Sequence, residues 1–165
     1  MVGIDGRGDI VLSDAERVLW EGRAFHAFLE TTVPASGSAY FSFTTGLFPV
    51  LSVIQTFTVG SDVIDIEFFE GADITEGTDV SILNKNRTSL NSSSVTIKNV
   101  PTVNSEGIKI DKTSVGSAAL GNAVITSIIN GYLPWILKAN TTYLVKFMNA
   151  GSSDVNVISR LSIFE

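Results

Sequence analysis

Short segments rich in β-branched and aromatic residues run through this sequence, and clusters of turn-forming residues separate them at regular intervals. Residues 50–59 (VLSVIQTFTV) form one such segment. In another, Ile64, Ile66 and Phe68 alternate with acidic and aromatic side chains, which is typical of a strand that buries one face. Roughly eight to ten short strands at this spacing are characteristic of a β-sandwich or a β-barrel.

This pattern predicts an all-β fold in one domain. The chain has 165 residues, 44% of them hydrophobic and only 17% charged, so it is long and apolar enough to bury a core. Helical periodicity is confined to residues 13–21. The predicted strands span residues 25–30, 39–43, 50–59, 63–69, 80–83, 95–100, 108–110, 123–129, 142–148 and 155–164.

The first 22 residues differ in composition from the rest of the chain. They begin rich in glycine and aspartate, and Ser13 and Glu16 then have the spacing of a capping box at a helix N-terminus. Gly22 follows as a helix stop signal. We predict that residues 1–22 form a short arm with one or two helical turns and that residues 23–165 form the β-sandwich domain.

The charged and sulfur-containing residues exclude several classes of protein. Eleven Lys and Arg residues against 17 Asp and Glu give a formal net charge of −6, which disfavours a nucleic-acid partner because phosphates require a cationic surface. The chain has no cysteine, which excludes disulfides, zinc fingers and thiol nucleophiles. A His-rich metal site cannot be built from the single histidine, His26, to which we assign no role.

The sequence lacks recognisable catalytic motifs. It contains neither a phosphate-binding glycine loop nor a nucleophile elbow. An acidic run in residues 62–79 is spread over a strand and a turn without the spacing of a calcium loop. Solvent-facing carboxylates are therefore favoured there over a glycosidase pair or a calcium site. We predict no enzymatic activity, no cofactor and no metal.

The N-terminal residues also lack the pattern of a targeting segment. Asp5, Asp9, Asp14 and Glu16 interrupt the first twenty residues, whereas a signal peptide needs an unbroken apolar core. No stretch reaches the roughly 18 apolar residues of a membrane helix. We expect a protein that is made in the cytosol and has no membrane partner.

Two separate regions supply candidate contact residues. Residues 84–94 form a long polar loop that is locally cationic through Lys85 and Arg87, so it is either a solvated connection or a contact loop against an acidic neighbour. Trp20, at the end of the arm, is a candidate docking anchor, because tryptophan is enriched at binding hot spots. Arg7 and Asp9 belong to an Arg-Gly-Asp tripeptide, the integrin-recognition sequence. We interpret that match as coincidental, and keep both residues as interface candidates because an exposed arm would present them.

The tryptophans also suggest a sugar-binding platform, since aromatic rings serve that purpose in binding modules. Trp135 lies in the sequence Pro134-Trp135-Ile136-Leu137, which is more typical of a strand entering the core. We therefore predict a core position for Trp135.

From Ala24 to Glu165, the order of motifs resembles a family of small structural proteins of tailed-bacteriophage virions. Each motif is short, and their order along the chain carries the resemblance. The motifs are Phe25-His26-Ala27, Glu67-Phe68-Phe69-Glu70-Gly71-Ala72, Glu76-Gly77-Thr78, Asn84-Lys85-Asn86-Arg87, Pro101-Thr102-Val103, Glu106-Gly107, Trp135-Ile136-Leu137-Lys138, Asn140-Thr141-Thr142-Tyr143 and Phe164-Glu165.

The resemblance implies a head decoration (cement) protein with a jelly-roll-like β-sandwich. Such a protein would bind the major capsid protein on the exterior of the head, commonly as a homotrimer, after synthesis in the cytoplasm of the bacterial host. The resemblance carries no catalytic residue and does not extend to the arm. An alternative function for the same sandwich is a carbohydrate- or receptor-binding module of a phage tail or fibre, since fold alone does not decide function.

Overall fold

The computed structural model describes residues 3–4, 10–11, 14–48, 50–59, 62–115, 124–129 and 135–165. Within them, the regular structure is almost all antiparallel β-strand, with one short helix. The elements are β1 (Gly3–Ile4), β2 (Ile10–Val11), α1 (Asp14–Trp20), β3 (Ala24–Val33), β4 (Ser38–Thr44), β5 (Val50–Val59), β6 (Ile64–Glu70), β7 (Asp73–Thr75), β8 (Thr78–Asp79), β9 (Leu83–Asn84), β10 (Thr96–Asn99), β11 (Thr102–Ser105), β12 (Ile108–Val115), β13 (Val124–Ile129), β14 (Trp135–Leu137), β15 (Thr142–Asn149) and β16 (Val155–Phe164).

Two large sheets form the sandwich. Sheet I has the strand order β12-β6-β15-β4-β10-β8, and sheet II has the order β13-β5-β16-β3-β9, with β14 also paired to β5. The chain crosses repeatedly between the sheets, from β3 to β4, β4 to β5, β5 to β6, β12 to β13 and β15 to β16. Four long strands of each sheet, β12-β6-β15-β4 and β13-β5-β16-β3, therefore have the connectivity of an eight-stranded jelly roll. The predicted jelly-roll-like all-β sandwich is confirmed.

Aromatic side chains of sheet I fill much of the core. Phe43 lies at their centre, with ring centroids 5.4 Å from Tyr143, 6.0 Å from Phe68 and 6.4 Å from Phe41. All four side chains are at most 2% exposed. Opposite them, sheet II contributes mostly aliphatic side chains, and half-buried Trp135 packs against this core, as predicted. Large rings on one sheet and smaller side chains on the other fill the space between two sheets about 10 Å apart.

The 37 residues between β6 and β12 cover one side of the sandwich. In this insertion, β10 pairs with the edge strand β4 of sheet I, and β9 pairs with the edge strand β3 of sheet II. Both edges are thereby protected from pairing with another chain. On the opposite side of the sandwich, β12 and β13 lie in contact.

The predicted strand at residues 80–83 is wrong. Instead, β8 ends at Asp79 and β9 begins at Leu83 in the other sheet, so the chain crosses the open side of the sandwich between them. Val80 and Ile82 are partly buried against the core along the way. An apolar alternation therefore arises here from a crossing segment that covers the core, in which Val80 adds one backbone hydrogen bond to Ile97 of β10.

The ribbon of β7 and β11, which the sequence pattern did not predict, covers part of the outer face of sheet I. Ile74 and Val103 from this ribbon pack on Phe69 and Leu144, whose side chains are at most 3% exposed. This second small core explains why Phe69, on the outward side of β6, is as buried as its inward neighbours.

We expect stability to fall at alkaline pH through Tyr143. Burial raises the pKa of its phenol to about 12, with Glu70 adding to the rise and the donated backbone N–H of Lys138 opposing it. An unfolded tyrosine has a pKa of about 10, so the neutral phenol contributes stability below pH 10 that is lost as the pH rises to about 12. Urea titrations from about pH 9 to 12 should show a loss of about 2–3 kcal/mol that Tyr143→Phe lacks. An equal loss in Tyr143→Phe would assign the effect to other groups.

Candidate binding surface

Helix α1 ends in a Schellman motif at Gly22. The N–H of Gly22 donates to the carbonyl of Leu19, and the N–H of Arg23 donates to that of Val18, at 3.1 and 3.0 Å. Gly22 has a φ of +67°, the left-handed conformation that glycine adopts at this position without a steric penalty. The predicted stop signal is confirmed, and the helix itself covers Asp14–Trp20.

Asn84 anchors the loop of residues 84–94 to this helix end. Its buried side-chain amide donates to the carbonyl oxygens of Gly22 and Asn91, at 2.9 and 3.0 Å. Its side-chain oxygen accepts a hydrogen bond of 2.8 Å from the backbone N–H of Asn86. One asparagine thus joins the start of the loop, its far side and the C-terminus of the helix.

Two further asparagines extend this connection. Asn86 donates its amide to the carbonyl of Trp20 at 3.1 Å, and Asn91 donates to the carbonyl of Glu21 at 3.1 Å. These bonds satisfy the carbonyl groups that the end of a helix leaves without intrahelical partners. The loop is therefore a structural brace for α1, a role that neither alternative from the sequence included.

The same loop binds Glu165, the residue that follows β16. The carboxylate of Glu165 accepts hydrogen bonds from the hydroxyls of Ser93 and Ser94, at 2.9 and 3.0 Å. Arg23 donates its Nε to the Glu165 carbonyl and accepts a backbone bond from Glu165 in return. The loop thereby holds the end of α1 and the end of β16 together.

This bracing brings three predicted interface residues onto one surface. Trp20, Lys85 and Arg87, together with Leu19 and Asn86, line a shallow pocket of about 200 Å³, which we call the Trp20 patch. The side chain of Trp20 is 70% exposed. The pocket therefore combines an exposed aromatic ring, two cationic side chains and an amide.

The two cations of the Trp20 patch are held differently. The ammonium of Lys85 donates to the hydroxyl of Ser162 at 3.1 Å and lies 5.3 Å from the centre of the Phe164 ring, and burial lowers its pKa. Among the described residues, Arg87 makes no ion pair. Its guanidinium presents a planar set of donors that suits a carboxylate from outside the chain.

Other exposed apolar side chains lie at the same end of the sandwich as the Trp20 patch. The connection from β4 to β5 starts at this end, where the N–H of Asn140 donates to Gly46 at 2.7 Å. A methyl group on Gly46 would lie 2.6 Å from Cβ of Ser94, so this connection and the 84–94 loop are in close contact. The exposed side chains are Leu47, Phe48, Leu90 and Ile136. We call this end of the sandwich, with the Trp20 patch, the loop end.

Within the ranges that the structure describes, four of the seven carboxylates in the acidic run of residues 62–79 form ion pairs with lysines of the same chain. Hydrogen bonds from Ser114 and Lys112 lower the pKa of Asp65, and a hydrogen bond from Lys138 lowers that of Glu70. The ion pairs are Asp65–Lys112, Glu67–Lys109, Glu70–Lys138 and Asp79–Lys98. Across the residues that the structure describes, no group of three or more histidine, aspartate and glutamate side chains is placed to hold a metal ion.

Arg7 and Asp9 lie outside the described residues, so their place in an interface stays a prediction, as does the division of the chain between residues 22 and 23. The structural roles of Asn84, Asn86 and Asn91 were missed. Their amides are ordinary loop residues in sequence, and only the neighbouring helix end gives them partners. In the described part of the chain, no helix is long and apolar enough to cross a membrane.

No protein-family model matches the chain, and no curated protein matches it. Among solved structures, it is similar to PliG of Aeromonas hydrophila, a periplasmic inhibitor of g-type lysozyme, with 12% identity, a TM-score of 0.38, and 85% of this chain and 87% of that chain covered. The Eiger TNF of S. frugiperda has 11% identity and a TM-score of 0.38 over 86% and 90% of the two chains. A chain of the cyanophage Pam1 capsid has 10% identity and a TM-score of 0.33 over 86% and 82%. Likenesses this distant assign no function to the chain.

Proposed function

We propose that this chain is a capsid decoration protein that binds the exterior of a phage head through its loop end and acts by binding alone. The observation that carries the proposal is the Trp20 patch, where an exposed tryptophan lies beside an arginine that has no ion pair among the described residues. The motif order from Ala24 to Glu165 supplies the class of partner.

The chemistry of the loop end suits a protein surface. Tryptophan and arginine are the residues most enriched at interface hot spots, where a few side chains carry most of the binding energy. Around the Trp20 patch, Leu47 and Phe48 are 75% and 72% exposed and extend the apolar area. A stable interface needs about 800 Å² from each partner, more than one pocket provides, so the whole end would take part.

Clamping neighbouring capsid subunits would stabilise the shell by mass action, because the ligand binds only the assembled lattice. We propose a homotrimer for the bound form, since homo-oligomers usually have closed symmetry and each copy would present one loop end to the shell. The net charge of −6 is compatible with this arrangement, because Lys85 and Arg87 concentrate positive charge at the proposed contact.

The test mixes the purified protein with expanded heads that lack it, followed by sedimentation and electron microscopy. We expect density at regular positions related by three-fold symmetry and a higher melting temperature of the heads. Trp20→Ala and Arg87→Glu should each weaken binding by about 30-fold, which corresponds to about 2 kcal/mol. Phe28→Ala is the matched control, because Phe28 is a comparably exposed aromatic residue (60%) on the outer face of sheet II.

Two results would contradict the proposal. The first is the absence of binding to heads by the unmodified protein. The second is unchanged binding by both Trp20→Ala and Arg87→Glu, which would remove the loop end from the interface. Binding to tails or fibres instead would favour the receptor-binding alternative.

A further inference from the structure

A second concave surface lies on the outer face of sheet II. It is a cavity of about 410 Å³, lined by His26, Phe28, Glu30, Ile158 and Arg160, and we call it the sheet-face cavity. Its volume is within the range of about 300–1,000 Å³ that is usual for small-molecule sites. All five residues project outward from β3 and β16, because their neighbours in sequence face the core.

The strand register fixes the layout of this cavity. On β3, His26, Phe28 and Glu30 follow one another at alternate positions. Across from them on β16, Arg160 pairs with Phe28 and Ile158 pairs with Glu30. From His26 to Glu30, the row is about 13 Å long, at about 3.3 Å per residue. The cavity is therefore elongated, with His26 and Glu30 at its two ends and with Phe28 and Arg160 side by side in the middle.

The half of the cavity toward His26 is cationic, because Lys85 donates to Ser162, the residue that pairs with His26, and Arg160 lies diagonally across from His26. Burial lowers the pKa of His26, and the charges of Lys85 and Arg160 lower it further, so both cations act on the imidazole. Arg160 is exposed on β16, and its guanidinium carries several N–H donors in a plane, so it can bind a ligand in addition to its contact within the chain. This half of the cavity can therefore bind a carboxylate through charge-assisted hydrogen bonds.

The middle and the far end offer complementary chemistry. Phe28 is 60% exposed and is a ring on which the C–H face of a sugar can pack. The exposed carboxylate of Glu30 accepts hydrogen bonds, and sugar hydroxyls are suitable donors. An uncharged apolar ligand would leave Glu30 and Arg160 without a role in recognition.

We propose that the sheet-face cavity binds an acidic saccharide, with the sugar carboxylate at Arg160 and His26, the sugar ring on Phe28 and hydroxyls at Glu30. This site lies on the broad face of the sandwich and shares no lining residue with the Trp20 patch. It would therefore remain open to solvent while the loop end is occupied, although Lys85 of the Trp20 patch also acts on His26.

The test is a nuclear magnetic resonance titration of the full chain with sodium glucuronate, with glucose and acetate as matched probes. We expect saturable shifts of backbone amides on β3 and β16, with a dissociation constant of about 1 mM. Glucose and acetate should each bind at least about tenfold more weakly, because each lacks one of the two recognised groups. Phe28→Ala and Arg160→Gln should each weaken glucuronate binding by at least about tenfold, whereas Trp20→Ala should not change it.

The pH dependence gives a second readout. A bound carboxylate favours the protonated form of His26, so binding should strengthen as the pH falls from about 8 to about 5.5. The charged groups around the imidazole are Lys85, Arg160 and, at the far end of the cavity, Glu30. His26→Gln should retain weaker binding and lose most of this pH dependence.

Several outcomes would contradict the proposal of a saccharide site. They are the absence of saturable shifts with glucuronate, equal binding of acetate, equal binding of glucose, or unchanged binding by Phe28→Ala. Each variant is first compared with the unmodified protein by its amide spectrum, so that loss of the fold is distinguished from loss of the site. Phe28→Ala should still bind heads, so this variant tests the saccharide site separately from the capsid contact.

Discussion

Phe43→Ala is expected to destabilise the protein by about 3–5 kcal/mol, the cost of deleting a fully buried aromatic side chain. The ring of Phe43 is 2% exposed and contacts those of Phe41, Phe68 and Tyr143. Its removal leaves a cavity between the sheets and deletes three ring contacts at once. The cost is a large share of the 5–15 kcal/mol that stabilises an ordinary domain.

Urea denaturation and thermal unfolding both measure this change. For a chain of this size, the expected decrease in melting temperature is roughly 6–20 °C. Phe28→Ala is again the control, because the same chemical change at an exposed site should cost no more than about 0.5 kcal/mol. A cost below about 1 kcal/mol for Phe43→Ala would mean that these rings do not form the central packing of the sandwich.

Gly22→Ala is expected to cost about 2–5 kcal/mol, from two separate causes. An alanine at a φ of +67° is strained by about 1–2 kcal/mol. Its Cβ would also lie 2.6 Å from Cβ of Ser89, so the 84–94 loop must move, and overpacking of this kind costs about 1–3 kcal/mol. Because that loop braces α1, the same substitution should also weaken head binding through Trp20.

Gly71→Ala separates the two causes. Gly71 has a similar φ of +74°, but a methyl group there would meet no atom within 4 Å. Its substitution should therefore cost only the strain, about 1–2 kcal/mol. If Gly22→Ala and Gly71→Ala lower the free energy of unfolding equally in urea denaturation, the close approach of Ser89 to Gly22 contributes nothing to the cost of Gly22→Ala.

Strand positions were predicted well where one face of a strand is buried. The predicted strands at residues 50–59 and 155–164 have the bounds of β5 and β16. The predicted segment at 108–110 continues to Val115, because β12 pairs with β6 along its whole length, and lysines on β12 also form ion pairs with carboxylates on β6. The polar composition of β12 concealed this extension, since nothing in its own sequence indicates that it pairs with an acidic strand.

Contacts between distant segments could not be predicted in this way. Trp20 and Asn86 are 66 positions apart, yet a hydrogen bond joins them at the helix end. Trp20 and Arg87 were each interface candidates, but nothing in the chain indicated that they line one pocket. The covering of Phe69 by Ile74 and Val103 was likewise hidden, because alternation placed Phe69 on the outer face.

By itself, the sequence determined the all-β class, the helix stop at Gly22 and the inward faces of the long strands. These features follow from backbone preferences and from the two-residue period of a strand, which are local properties. Only the tertiary structure decided which loops meet at the loop end and which outward side chains form the sheet-face cavity. Those arrangements depend on the pairing of strands far apart in the chain, and that pairing is fixed by how the two sheets together bury their shared core.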